Sequence, residues 1–231
     1  MATVAEKLRE LDQSFRAGSD LDVVEKGYMK KLIDAISSED EILESEALKS
    51  LGDLYLHKAK TKKHKAENFK KACALYKELS RHYTNEEEKQ VIQRRLNYAE
   101  KCKKLAHSQM FANTDIEISG NVTLAVAATL QDMHDKTKMK RQGTAIEGCT
   151  QFFVKGIVDG NKCLQVESLK SLGDLYLKKG RVGRDEAAFT KAAGLYRAAL
   201  DRCEDSDGRE TLEHRIKYAE KVKETQLRVG E

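Results

Sequence analysis

Proline is absent from the 231 residues and glycine occurs only 14 times. These are the residues that break helices and shape tight turns, so their scarcity, beside abundant Ala, Leu, Lys and Glu, favours long helices over sheet. Long apolar runs are missing too. The longest, "LAVAATL" at 124–130, is far below the roughly 20 residues a membrane helix needs, so no transmembrane segment is expected. The opening "MATVAEKLRE" carries charges where a signal peptide requires an apolar core, which argues against secretion. The five cysteines are an odd number without CxxC spacing, as expected of reduced thiols in a cytoplasmic or nuclear setting. The sequon Asn121-Val122-Thr123 would then be unused. The net charge of +4 is mild for this length and does not by itself mark a nucleic-acid binder. Six histidines are scattered without an HExxH pair, and there is no GxGxxG, Walker or nucleophile-elbow pattern. No catalytic residue, metal site or cofactor is expected, and the chain does not read as an enzyme.

What the chain does carry is one phrase twice: "ALKSLGDLYL" at 47–56 and "SLKSLGDLYL" at 168–177. The likeness extends outward. "VAEKLREL" (4–11) faces "VAATLQDM" (126–133), "NFKKACALYKEL" (68–79) faces "AFTKAAGLYRAA" (188–199), and "RRLNYAEKCK" (94–103) faces "HRIKYAEKVK" (214–223). The offset drifts only from 122 to 120, so both copies keep one order of elements. This predicts two helical modules, 1–107 and 122–231, joined by a linker at 108–121 that holds turn-prone residues and no helical stripe.

Each module reads as about five helices, and no stretch alternates as a strand would. In the first module the apolar stripes are Val4, Leu8, Leu11 and Phe15; Val24, Tyr28, Leu32 and Ala35; Leu48, Leu51, Leu54 and Tyr55. They continue with Phe69, Ala72, Tyr76 and Leu79, then Ile92, Leu96, Ala99 and Cys102. "AGSDLD" supplies a stop and a cap after the first helix, and "TNEEE" supplies a cap and an acidic first turn for the fifth. The expected fold class is all-α, with about ten helices in two duplicated modules.

Leu48, Leu51-Gly52 and Tyr55, followed by Phe69, Ala72, Tyr76 and Leu79, resemble the tetratricopeptide (TPR) pattern. So do Leu169, Leu172-Gly173, Tyr176 and Gly180, followed by Phe189, Ala192 and Tyr196. The resemblance covers about 45–82 and 166–203. It implies paired helices stacked into a solenoid that serves as a non-enzymatic scaffold or adaptor, often as part of a larger protein. In this reading Gly52 and Gly173 lie at close helix crossings opposite Ala72 and Ala192. The chain departs from the family's unit of about 34 residues: the loop between the paired helices is expected to be longer, and the closing proline is missing.

The resemblance places Glu46, Lys49, Asp53 and His57, and then Glu167, Lys170, Asp174 and Lys178, on a concave face that would bind a protein or peptide. The same Glu–Lys–Asp run also reads as ion pairs along one helix, each contributing a few tenths of a kcal/mol. A second candidate is the stretch "HKAKTKKHKAENFKK" at 57–71, with seven lysines and only one acid, Glu67. Lys58, Lys60, Lys62, Lys63 and Lys65 could hold nucleic acid or an anionic lipid surface, or simply solvate an extended loop. The cysteines face apolar or aromatic residues in the other copy (Cys73 Ala193, Cys102 Val222, Cys149 Tyr28, Cys163 Ile42, Cys203 Tyr83), which reads as core packing.

Overall fold

The computed structural model of the chain describes residues 3–61, 65–110 and 142–228. Among these residues there are nine α-helices and no strand. They are α1 (Val4–Arg16), α2 (Leu21–Ser37), α3 (Glu41–Thr61), α4 (Lys65–His82), α5 (Glu86–Met110), α6 (Gln142–Val158), α7 (Lys162–Gly183), α8 (Glu186–Arg202) and α9 (Ser206–Arg228). The helix expected around Val126, Ala127, Leu130 and Met133, and residues 111–121 of the expected linker, lie outside the described residues.

Polar side chains set the helix ends where the sequence places them. Thr3 opens α1 as half of a capping box: its Oγ1 accepts from the Glu6 N–H while the Glu6 carboxylate accepts from the Thr3 N–H at 2.6 Å. Asn85 caps α5, accepting from the Glu87 N–H at 2.9 Å, ahead of the acidic turn Glu86–Glu88. In the second copy Asn161 caps α7 and Asp185 caps α8. Gly18, with φ +71°, ends α1 in the left-handed region where a side chain would be strained.

The residues fall into two compact units. The first holds α1, most of α2, and α3–α5; the second holds residues 33–40 and α6–α9. The core of the first follows the apolar stripes: Val24, Tyr28, Leu32, Leu48, Leu51, Leu54, Tyr55, Phe69, Tyr76, Leu79, Ile92 and Leu96 are all buried. Burying each large side chain contributes about 1.5–3 kcal/mol, so the paired helices α3 and α4 are held mainly by this seam. The second unit repeats it with Leu169, Leu172, Tyr176, Phe189, Leu195 and Tyr196.

The glycines sit at close crossings, and the atoms nearest to them belong to tyrosines and not to the expected alanines. A Cβ on Gly52 would stand 2.6 Å from Cε1 of Tyr76, and one on Gly173 would stand 2.4 Å from Cε1 of Tyr196. Ala72 and Ala192 are fully buried one helical turn away, and the tyrosine ring, being longer, is what reaches the gap. Gly194, in the place of Ala74, has a separate cause within the second unit, where a Cβ would lie 2.0 Å from the carbonyl oxygen of Ser37.

The connections also differ from expectation. α3 runs to Thr61 and α4 begins at Lys65, while α7 and α8 are separated only by Arg184 and Asp185. The extra residues lengthen the first helix of each pair instead of forming a loop. Nothing in "HKAKT" or "KKGRV" forces the helix to stop, and Ala59 and Gly180 are buried beyond the point where the loop was expected.

Candidate partner-binding surface

In the first unit the polar part of the third helix is organised by Asp53. Its Oδ1 accepts from the Tyr76 hydroxyl at 2.5 Å and also from Nη1 of Arg95, so one carboxylate joins α3, α4 and α5. The second unit has the same arrangement: Asp174 accepts from the Tyr196 hydroxyl at 2.6 Å and from Arg215, whose guanidinium lies 5.9 Å from the Tyr196 ring centroid. Burial, reinforced by the adjacent carboxylate, pushes both phenols well above the ordinary tyrosine range. Burial works against the charge of Arg95, and the hydrogen bond and charge of Asp53 more than restore it. Asp53 and Asp174 therefore spend much of their charge inside their own units. Arg95 and Arg215 were not singled out in the sequence, yet both are the shared arginine of "RRL" and "HRI".

The remaining expected contact residues lie beside this triad. Glu46 pairs with Lys49 on α3, and Glu167 with Lys170 on α7. Each is an ion pair between residues three apart on one helix, and all four side chains are half-buried. Glu46, Lys49 and Asp53 line a cavity of about 340 Å³ together with Asp12, Phe15 and Arg16 of α1, Tyr28 of α2, Ser50 of α3 and Arg95 of α5. The Tyr28 hydroxyl donates to Asp12 at 2.6 Å, which ties α2 to α1 at the edge of this space. His57 is exposed, and its ring meets Phe15 edge-on at 5.4 Å.

In the second unit Glu167 and Lys170 line a different cavity, of about 440 Å³, with Lys162, Cys163 and Val166 of α7, Arg202 and Cys203 at the end of α8, and Leu212 of α9 among its walls. Asp174 does not line that cavity, and Lys178 is exposed. The duplicated Glu–Lys pair thus borders a concavity in each unit, while the two concavities have different walls.

The lysine-rich stretch is mostly helical, apart from residues 62–64, which lie outside the described residues with Lys62 and Lys63. Lys58 is only 5% exposed. Its ammonium pairs with Asp22 at 2.6 Å and with Glu25, and Glu25 also accepts from the Tyr55 hydroxyl at 2.6 Å. Lys58 is thereby turned into its own unit, away from any outside anion. Lys60 stands 4.6 Å from the ring centroid of Tyr98, a cation–π contact. Lys65 opens α4.

Cys73, Cys149 and Cys203 are buried, and burial raises the Cys149 thiol to about 12. Cys163 is exposed, and so is its counterpart Ile42, at 70%. An apolar residue at the matching position therefore did not mean core in that pair. Among the described residues no helix is long and apolar enough to cross a membrane. Comparison of the chain with protein-family models, with curated proteins and with solved structures gives no match.

Proposed function

We propose that the chain is a non-enzymatic interaction module, a TPR-like helical repeat that presents the Glu–Lys faces of α3 and α7 to a protein or peptide partner. The observation that carries this reading is the first unit's cavity, which brings Glu46, Lys49 and Asp53 of α3 together with Phe15 and Arg16 of α1 and Arg95 of α5. A concavity with charges of both signs and two aromatic residues, Phe15 and Tyr28, in its walls suits the side chains of a peptide, with specificity set by charge complementarity. The duplicated Asp–Tyr–Arg triads support it by fixing the helices that carry the contact residues. The raised thiol values of Cys73, Cys149 and Cys163 favour a non-catalytic role, since an activated cysteine needs a lowered one.

The test is a quantitative pull-down with the intact chain and its Lys49→Glu, Lys170→Glu double variant, with helicity followed by circular dichroism. Loss of a specific partner with helicity intact supports the reading, because reversing these half-buried charges alters complementarity more than folding. Undiminished recovery would leave Glu46–Lys49 and Glu167–Lys170 as ordinary surface pairs. A salt titration separates the competing reading, since phosphate binding through the lysine-rich stretch weakens steeply with ionic strength.

A further inference from the structure

The outer face of α5 carries three exposed apolar side chains that the cavity reading does not use. Val91, Tyr98 and Leu105 are 50%, 48% and 58% exposed. They are spaced seven residues apart, which on a helix of 3.6 residues per turn aligns them in one stripe along most of α5. The duplication supplies an internal control. The corresponding positions of α9 are Thr211, Tyr218 and Thr225, all exposed. The five-helix pattern therefore does not require valine and leucine there, and their presence on α5 calls for a cause outside the unit's own packing.

The flank of the stripe is basic. Arg94 and Lys101 lie on its solvent side, again seven apart and both exposed, and neither has an ion-pair partner among the described residues. Of the carboxylates on α5, Glu86, Glu87 and Glu88 lie in the first turn, beyond the Val91 end, and Glu100 is paired with Lys77 of α4. A second copy pairing α5 in the parallel sense would set Arg94 and Lys101 beside the same cations of the other copy, and an antiparallel pair, which would bring the Glu86–Glu88 turn towards Lys101, is the competing occupant that sedimentation tests. We infer that this face docks an acidic amphipathic helix of a protein partner, with apolar residues seven apart seated along Val91, Tyr98 and Leu105 and carboxylates meeting Arg94 and Lys101. This surface lies on a different part of the first unit from the cavity beside Glu46 and Lys49, so the two stand or fall separately.

The test uses the full chain and two synthetic helical peptides with leucine every seventh residue, one flanked by glutamates and one by lysines. Binding is read by fluorescence anisotropy. The unaltered chain should bind the acidic peptide and discriminate against the basic one. Replacing Val91 and Leu105 by threonine, as α9 has at the matching positions, should weaken binding roughly tenfold or more. Arg94→Glu with Lys101→Glu should exchange the preference toward the basic peptide while helicity stays constant. Equal binding of both peptides, no binding of the acidic one, or threonine variants that bind like the parent would each overturn the assignment. So would a dimer in sedimentation that the threonine variant abolishes, or crosslinks joining α5 to another segment of the same chain, because either gives the face a different occupant.

Discussion

Gly52 and Gly173 are held to hydrogen by a neighbour that cannot retreat. The Tyr76 and Tyr196 rings against them are fully buried, and each hydroxyl is anchored on an aspartate of the glycine's own helix. Even Gly52→Ala should therefore overpack the contact and cost about 1–3 kcal/mol, with Gly52→Leu costing more, as read from urea denaturation midpoints. Unchanged midpoints would place the ring elsewhere. The cysteines offer a second check at this scale. Cys163 is exposed, whereas Cys73 and Cys149 are buried with thiols raised first of all by burial. In the native chain a thiol reagent should label Cys163 well before Cys73 and Cys149, whose labelling should wait for unfolding; peptide mapping after brief exposure reads the order. Early modification of Cys149 would contradict its position in the core.

The helices show what could be read from sequence and what could not. The stripes of α2, α3 and α4 named in the sequence are wholly buried, because 3.6-residue periodicity is a local property that one face of a helix must satisfy, whereas α5 leaves Cys102 and α1 leaves Val4, Leu11 and Phe15 only partly covered. Helix length was harder to read. Lysine and threonine in "HKAKT" neither mark an apolar face nor break a helix, and what holds the end of α3 in place lies far off in sequence. Lys58 is tied to Asp22 and Glu25, 36 and 33 residues earlier. The same limit hid Arg95 and Arg215, whose aspartates are 42 and 41 residues away. Duplication was the one signal that could have found them, since both arginines recur in register while their immediate neighbours change, Arg94 to His214 and Leu96 to Ile216. Lys58→Ala should accordingly behave as a stability variant. It leaves the half-buried Glu25, which also holds the Tyr55 hydroxyl, without its cation, at an expected cost of about 1–3 kcal/mol, less than for a fully buried pair because Asp22 is largely exposed. Thermal melts should show the loss, and affinity for a polyanionic probe such as sulfated heparin should not change. A variant that melts normally but loses heparin binding would return Lys58 to the anion-binding reading.

Among the described residues, six tyrosines with raised phenol pKa values give stability a direction with pH. Tyr28, Tyr55, Tyr76, Tyr83, Tyr176 and Tyr196 all have pKa values raised above the ordinary 10.0, in each case first of all by burial. Carboxylates close to them, such as Glu25 beside Tyr55 and Asp174 beside Tyr196, add to the rise. Cys149 moves the same way, from 9.0 to about 12. A group whose folded pKa is raised holds its proton in the native state after the unfolded chain has released it. The unfolded state then gains free energy from ionisation that the native state cannot match. Below the ordinary thiol and phenol values these groups leave stability unaffected. As pH climbs past about 9 the native state should lose ground, first through Cys149 and then more steeply through the tyrosines. In an alkaline titration followed together by circular dichroism and tyrosinate absorbance, the buried phenols should stay silent and then ionise with loss of helix. Tyr76→Phe with Tyr196→Phe should make the alkaline loss shallower by removing two of the responsible groups, at a neutral-pH cost of about 0.5–1.5 kcal/mol for each lost hydrogen bond. Smooth titration of all the tyrosines near the ordinary value with helicity intact would mean that these hydroxyls face water, and that the aspartate-centred links in both units are open in solution.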